Sequence, residues 1–377
     1  MFREVFFISF LLFCCACFCQ EDINCGTEVS EKDKVFIQHF INEIKFRKQF
    51  QTPLDSIVPV KFHIVGYNNG ADMIDSVSVF NELNSVNSFY SSAGIRFQHC
   101  GPIDYIQDSE YALFEKINDE TLCDITDIVN VLNIYFVPRL YKISSGDTVN
   151  LCGYAYLTGV NLNRIVMKNS CSTNGSTLSH EIGHYFSLFH THSSSNGAEL
   201  VNGSNCTTAG DLFCDTPADP GLSSTTVTSS CIYVGNEQDA NGDFYSPDVN
   251  NFMSYSRKSC RDFFSNEQLT RMNDYFVGYR NYLLCPFDID SSLVSENLDF
   301  ILYPNPSGSL INLIYVESNQ LNADLYLTVH DLSGRLLFEN TITTSFSLNV
   351  QNYCSGVYFI TLSNQQQKLT KKYIKSG

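Results

Sequence analysis

The run His180-Glu181-Ile182-Gly183-His184, followed by another histidine at 190, demands a helix that stops abruptly. Side chains four apart share one helix face, so His180 and His184 stand one above the other. Imidazoles at that spacing can hold one Zn²⁺, and Glu181 is placed to take a proton from a water on the metal. His190 supplies the third ligand and leaves a fourth position open, as a catalytic zinc requires. On a continuous helix His190 would lie about 15 Å along the axis from His180. No single ion reaches both. The helix therefore breaks after His184, and the chain turns back before His190. His192 is the alternative third ligand, at a spacing that fits less well.

A chain of 377 residues has room for two or three domains. The net charge of −17 argues against nucleic acid and against anionic membrane surfaces as partners. Arg3 and the apolar run from Val5 to Phe18 read as a signal peptide, residues 1–19, cleaved before Gln20. That run is too short for a bilayer, which needs about 20 residues. No other run is long and apolar enough, so the mature chain is expected to have no transmembrane segment. Export also accounts for the cysteines. Of fifteen, Cys14, Cys15, Cys17 and Cys19 leave with the signal, and eleven remain. In an oxidising compartment these should mostly pair, and an odd number leaves at least one over.

Residues 20–54 are polar and charged, with a helix-like stretch around Val35–Phe46 and no sustained core pattern; they read as a pro-segment. Val58–Val65 alternates like a first strand, and His63 on it is a packing or hydrogen-bonded residue rather than a ligand. Val79, Leu83, Val86 and Tyr90 recur at helical spacing, with Gly94 as a stop. Ile95–Phe97, Val129–Val137, Gly153–Leu157 and Arg164–Met167 read as further strands, and the histidine helix begins near Thr177. From His190 to about residue 250 the chain is irregular, a length that cross-links must hold, and Cys206, Cys214, Cys231 and Cys260 are available. Ser265 and Gln268 form a capping box for a last helix that runs to about Val277, with Gly278 as its stop. This order gives an α/β (α+β) domain over residues 55–285. Residues 286–299 form a linker. In residues 300–377, short strand-like runs separated by turn signals predict a small all-β sandwich.

Around the histidines stand Gly153-Tyr154-Ala155-Tyr156, Thr177-Leu178-Ser179, Gly210-Asp211, Asp215-Thr216-Pro217 and Asn251-Phe252-Met253-Ser254-Tyr255-Ser256, then Cys260, Phe264, Gln268 and Arg271-Met272. Together these resemble the pappalysin family of metzincin metallopeptidases. The resemblance implies a secreted zinc endopeptidase with a metzincin-like catalytic domain. Met253 would be its Met-turn residue, an apolar floor beneath the ligands, and Tyr255 the tyrosine near the metal. Relatives place glycine where Ser187 falls, and serine takes a left-handed turn at a cost of roughly 1–2 kcal/mol. Tyr303-Pro304-Asn305-Pro306-Ser307, Asp331-Leu332-Ser333-Gly334-Arg335, Gly356-Val357-Tyr358 and Lys371-Lys372-Tyr373-Ile374-Lys375 resemble the C-terminal sorting domain of the type IX secretion system of Bacteroidota. Its machinery is then a partner, beside the protein or peptide substrates.

Catalysis on this reading has Glu181 as general base and Tyr255 as hydrogen-bond donor to the oxyanion. The competing class is an inactive surface-binding or adhesion protein on the same scaffold, and the intact Glu181 weighs against it. Three further expectations follow. Cys25, in a Cys-Gly pair of the pro-segment, is a candidate thiolate ligand that would keep the zinc latent. Calcium is a second candidate ion, at Asp239, Asn241 and Asp243 or at Asp211, Asp215 and Thr216. Arg257 and Lys258, just past Met253, would disfavour Arg or Lys after the scissile bond.

Overall fold

The computed structural model describes residues 25–46, 56–286 and 300–376, apart from residues 119, 159–161, 304, 306–307, 309, 316–324, 343–345 and 365–367. The expected signal peptide, nearly all of the expected linker and residues 20–24 and 47–54 of the expected pro-segment lie outside them. In chain order come α1 (Glu31–Phe46), β1 (Ser56–Gly66), α2 (Ser76–Tyr90), β2 (Ile95–His99), β3 (Asp104–Gln107), β4 (Leu113–Glu115), α3 (Glu120–Thr126) and β5 (Leu132–Val137). Then follow β6 (Arg139–Ser144), β7 (Asp147–Asn150), β8 (Gly153–Ala155), β9 (Arg164–Lys168), α4 (Thr177–Tyr185) and α5 (Asn266–Tyr275).

One mixed sheet of order β2-β1-β5-β9-β8, with β3 also on β1, organises this part. Its pairs are parallel except β8 on β9, which is antiparallel and leaves β8 at the edge. Parallel strands are buried on both faces, and β1 and β5 are accordingly apolar almost throughout. His63 on β1 is fully buried, stacked on Tyr135 at 4.2 Å and 3.0 Å from Asn133 Oδ1, a packed and bonded residue as its sequence context implied. The apolar stripe Val79, Leu83, Val86 and Tyr90 turns α2 onto the sheet, and Gly94 ends it with φ of 67°. Leu178, Ile182 and Tyr185 bring α4 into the same core, with Ala155, Ile165 and Met167.

The stretch expected to be a pro-segment departs from the sequence expectation that it carries no sustained core pattern. Ile37, Phe40 and Ile41 are buried, and Phe36 and Phe40 pack edge-on against Tyr275 and Tyr279. The spacing i, i+3, i+4 is a helical core stripe, narrow and set among charges, and it takes a partner surface to reveal it. The last helix also differs. Its Ser265–Gln268 capping box is present, but α5 passes at Phe276 into a π-helical turn to Arg280, so Gly278 is inside that turn rather than a stop.

Between α4 and α5 the chain has only isolated bridges and turns. Disulfides Cys206–Cys214 and Cys231–Cys260 hold it, while Cys100–Cys285 and Cys152–Cys171 brace the sheet. Cys25, Cys123 and Cys354 stay free. The C-terminal strands are β10 (Phe300–Tyr303), β11 (Leu310–Tyr315), β12 (Leu325–Asp331), β13 (Leu336–Ile342), β14 (Phe346–Asn349), β15 (Gly356–Ser363) and β16 (Lys368–Lys375). They form antiparallel sheets β10-β11-β14 and β13-β12-β15-β16 that share one core, including Phe300, Leu313, Leu327, Leu348 and Ile360. Among the described residues no helix is long and apolar enough to cross a membrane.

Candidate metal centre

The break demanded by His190 occurs where α4 ends. Ser187 takes φ of 71°, its amide donates to His184 O at 2.8 Å, and the Leu188 amide donates to Gly183 O at 3.0 Å. That pair of bonds is a Schellman cap with serine in the usual glycine place. The cap also delivers Leu188 O to His184 Nδ1, at 2.8 Å. Three residues on, the Thr191 amide donates to Met253 O at 3.1 Å, which seats His190 beside α4.

The three Nε2 atoms then converge, His180 to His184 at 3.2 Å, His180 to His190 at 3.2 Å and His184 to His190 at 3.0 Å. A carbonyl can only accept, so His180 Nδ1–H donates to Phe252 O at 2.6 Å and His184 Nδ1–H to Leu188 O at 2.8 Å. Both Nε2 atoms therefore present bare lone pairs to each other. Burial holds all three imidazoles neutral, with His184 pushed down to about 4 and the other two well below the usual range. Converging lone pairs of neutral imidazoles are repulsive without a cation between them. Zinc–nitrogen bonds of about 2.0–2.1 Å in a tetrahedral site put ligand nitrogens roughly 3.3 Å apart. The residues present fit Zn²⁺.

Cys25 completes the cluster: its Sγ and the three imidazoles offer ligand atoms all within 4.8 Å of one another. Burial, and next the neighbouring Glu181, raise its thiol well above the ordinary range. Gly26 bridges to the free edge of β8, its amide donating to Gly153 O at 2.7 Å. Lys116 Nζ donates to Gly26 O at 2.6 Å, and Lys142 Nζ to Glu28 at 2.7 Å.

Glu181 is fully buried against β8. Gly153 makes that approach possible, since a Cβ there would stand 3.0 Å from Glu181 Cγ and 2.8 Å from Met167 Sδ. Burial raises the carboxyl to about 7, opposed by hydrogen bonds from Cys25 and Thr27. Met253 is buried on the other side of α4, where a Cβ on Gly183 would lie 2.5 Å from its Sδ. Asn251 shapes that turn: its Oδ1 accepts from the Met253 amide at 2.8 Å, and its Nδ2 donates at 2.9 Å to Gln268 of the capping box. The Tyr255 ring stands 4.7 Å from that of His190 and 6.2 Å from that of His180. His192 stacks on His190 at 4.9 Å and lies 4.4 Å from Tyr255, flanking the three converging imidazoles rather than joining them.

Other sequence candidates find different places. Arg257 braces a loop, with Nε 2.6 Å from Val227 O and Nη2 2.5 Å from Ser224 O. Lys258 Nζ lies 3.1 Å from Cys152 Sγ. Asp239 accepts from the amides of Asn241 at 2.8 Å, Asp243 at 3.0 Å and Val201 at 2.9 Å, which makes that cluster a closed turn. Asp215 caps α5, accepting from Ser265 Oγ at 2.7 Å and the Glu267 amide at 2.8 Å. Asp211 and Thr216 do come together, at 3.0 Å, and sequence reasoning missed their neighbour Glu199. Glu199 Oε2 is buried without a hydrogen-bond donor, and a Cβ on Gly210 would collide with it. Burial and then Asp219 raise Glu199 to about 7; burial and then Glu199 hold Asp211 well above the carboxylate range. Arg261 was also missed. Its Nη2 reaches Ser176 Oγ at 3.2 Å and its Nη1 reaches Ser254 O at 3.4 Å, tying the start of α4 to the Met253 turn.

Residues 151–277 match the peptidase family model described as Pregnancy-associated plasma protein-A, and residues 301–376 match the model described as Secretion system C-terminal sorting domain. An extracellular metalloprotease of Sordaria macrospora is 26% identical over 281 residues, 68% of this chain and 89% of the relative. One from Neurospora crassa is 26% identical over 278 residues, again 68% and 89%. One from Podospora anserina is 27% identical over 247 residues, 59% of this chain and 74% of the relative.

Proposed function

Since this chain carries a metallopeptidase domain of the pappalysin family followed by a secretion-system sorting domain, we propose that it is an exported zinc endopeptidase made in latent form. The convergence of three neutral imidazoles beside a buried carboxylate is the observation that carries this reading. The chain is a zinc metalloendopeptidase with a secreted or cell-surface location. The proposed division is a signal peptide at 1–19, a pro-segment at 20–54, a catalytic domain at 55–285, a linker at 286–299 and a sorting domain at 300–377.

His180, His184 and His190 would hold the zinc, which supplies Lewis-acid polarisation of the scissile carbonyl and a more acidic water. Glu181 takes the proton of the attacking water and returns it to the leaving amine. A carboxyl raised to about 7 by burial suits both halves of that exchange near neutral pH. Phe252 O and Leu188 O fix the tautomers of two ligands. Met253 acts as the Met-turn floor, filling the space that Gly183 leaves against α4. Tyr255 donates to the developing oxyanion, a contact strongest in the transition state. Calcium binds at Asp211 and Glu199, where two raised carboxyls share one buried place.

In the latent form Cys25 would be the further ligand beside the three imidazoles, and α1 with its aromatic contacts would hold the pro-segment in place. The intact Glu181 favours this reading over an inactive binding platform. The test is zinc content together with casein or gelatin hydrolysis, on wild-type and variant protein from which residues 20–54 have been cleaved and removed. Activity should fall about 100- to 10,000-fold in Glu181→Ala at unchanged zinc content. Equal hydrolysis by the two proteins refutes the assignment.

A further inference from the structure

Cys25 accounts for only one half of the block on this site. Thr27, two residues on, is buried, and its hydroxyl is 3.1 Å from Glu181 Oε2. The same Oγ1 lies 2.9 Å from the Ala155 amide nitrogen and 3.3 Å from Ala155 O. The Ala155 N–H can only donate, so Oγ1 accepts from it and keeps one proton to give. Of its two acceptors the carboxylate is nearer, and a charged acceptor makes the stronger bond. The hydroxyl proton therefore goes to Glu181, on the oxygen that Cys25 Sγ also approaches at 3.5 Å. The Thr27 backbone N–H points at Cys25 Sγ, 3.3 Å away, and so favours a thiolate there.

Gly26 makes the unit fit. A side chain at that position would meet Leu151 Cδ1 at 2.7 Å and Gly153 O at 3.3 Å. With glycine between them, cysteine reaches the imidazoles and threonine reaches the carboxylate from one short stretch on the edge of β8.

We propose that Thr27 is a second inhibitory residue, which engages the general base while Cys25 engages the metal ligands. This rests on the zinc-peptidase reading above and adds how that site is kept silent. Replacing Cys25 alone leaves the Thr27 hydroxyl on Glu181 and the segment on β8, so the base stays engaged. Only loss of both side chains frees both halves.

The test uses the full-length chain as wild type and as Thr27→Val, Thr27→Ser, Cys25→Ala and Cys25→Ala/Thr27→Val. The first readout is the rate at which Cys25 is alkylated by a maleimide, followed on the Cys25 peptide by mass spectrometry. Thr27→Val should speed it about tenfold, the effect of losing one hydrogen bond to a charged group, while Thr27→Ser stays at the wild-type rate. The second readout is hydrolysis of a fluorogenic peptide at matched zinc content. The double variant should exceed Cys25→Ala about tenfold. Wild-type alkylation in Thr27→Val, or equal hydrolysis by Cys25→Ala and the double variant, overturns the proposal. A zinc-loaded double variant that cleaves no peptide refutes the peptidase reading instead, and the alkylation rates still decide the role of Thr27.

Discussion

Replacing Ser187 with glycine should stabilise the protein without loss of the metal site. Ser187 holds φ of 71° because the chain must reverse between His184 and His190. A side chain in that region costs roughly 1–2 kcal/mol. Its Oγ is buried with no hydrogen-bond partner, which adds about 1–3 kcal/mol of lost hydration. Glycine returns about 0.5–1 kcal/mol of that through the greater freedom of the unfolded chain. The net gain is about 1–4.5 kcal/mol. At about 2–4 °C per kcal/mol for a domain of 150–250 residues, Tm should rise by at least about 2 °C. The assay is thermal melting at fixed zinc, beside Ser187→Ala, which removes the hydroxyl but keeps the strained Cβ and should gain less. An unchanged or lower Tm for Ser187→Gly, or an alanine variant that matches it, refutes this account of the cap.

Gly183→Ala puts a Cβ 2.5 Å from Met253 Sδ, so the turn must give way, and stability should drop by about 1–3 kcal/mol with weaker zinc retention; wild-type melting and metal content count against this. Glu199 and Asp211 both have raised carboxyl pKa values in the fold, so the stability they contribute is present at low pH and is lost as pH rises, for Glu199 through about 7. If calcium takes the ionised pair as proposed, it should therefore raise Tm at pH 8 and do little at pH 5, and equal shifts at both, with zinc saturating, would argue against an ion there. Deleting residues 300–377 should block appearance of the protein outside the cell while leaving the core of residues 56–286 folded; unaltered export, followed by immunoblot of cell and medium fractions, contradicts the sorting role.

The convergence of the three histidines was legible because zinc chemistry imposes its geometry on spacing. His180 and His184 needed one helix face, and His190 needed a reversal before it; the glycine of relatives at 187 marked the place where Ser187 turns left-handed. The Ser265–Gln268 cap was legible for the same kind of reason, since its bonds span only three residues. What stayed hidden depends on partners distant in sequence. Ile37, Phe40 and Ile41 look like a minor stripe in a charged stretch until Tyr275 and Tyr279 face Phe40, and Leu157, Phe189 and Leu212 face the two isoleucines. Asp215 carries the same chemistry as Asp211, and only the tertiary fold sends one to cap α5 and the other into a buried carboxylate pair. Glu199 and Thr27 have no local signature at all, because each is defined by what it meets across more than ten residues or across the whole domain.

The seat of α1 bears on how release would proceed. Burying a large apolar side chain contributes roughly 1.5–3 kcal/mol, and α1 buries Ile37, Phe40 and Ile41 in cores it shares with the enzyme body. A cut between α1 and β1 removes none of these contacts. It converts an intramolecular contact into a bimolecular one, whose occupancy then follows concentration. On the latent reading, dilution after the cut, rather than the cut itself, would set when Cys25 and Thr27 leave the histidines and Glu181. Crowded nicked molecules would stay covered, and the same molecules would become uncovered as they disperse.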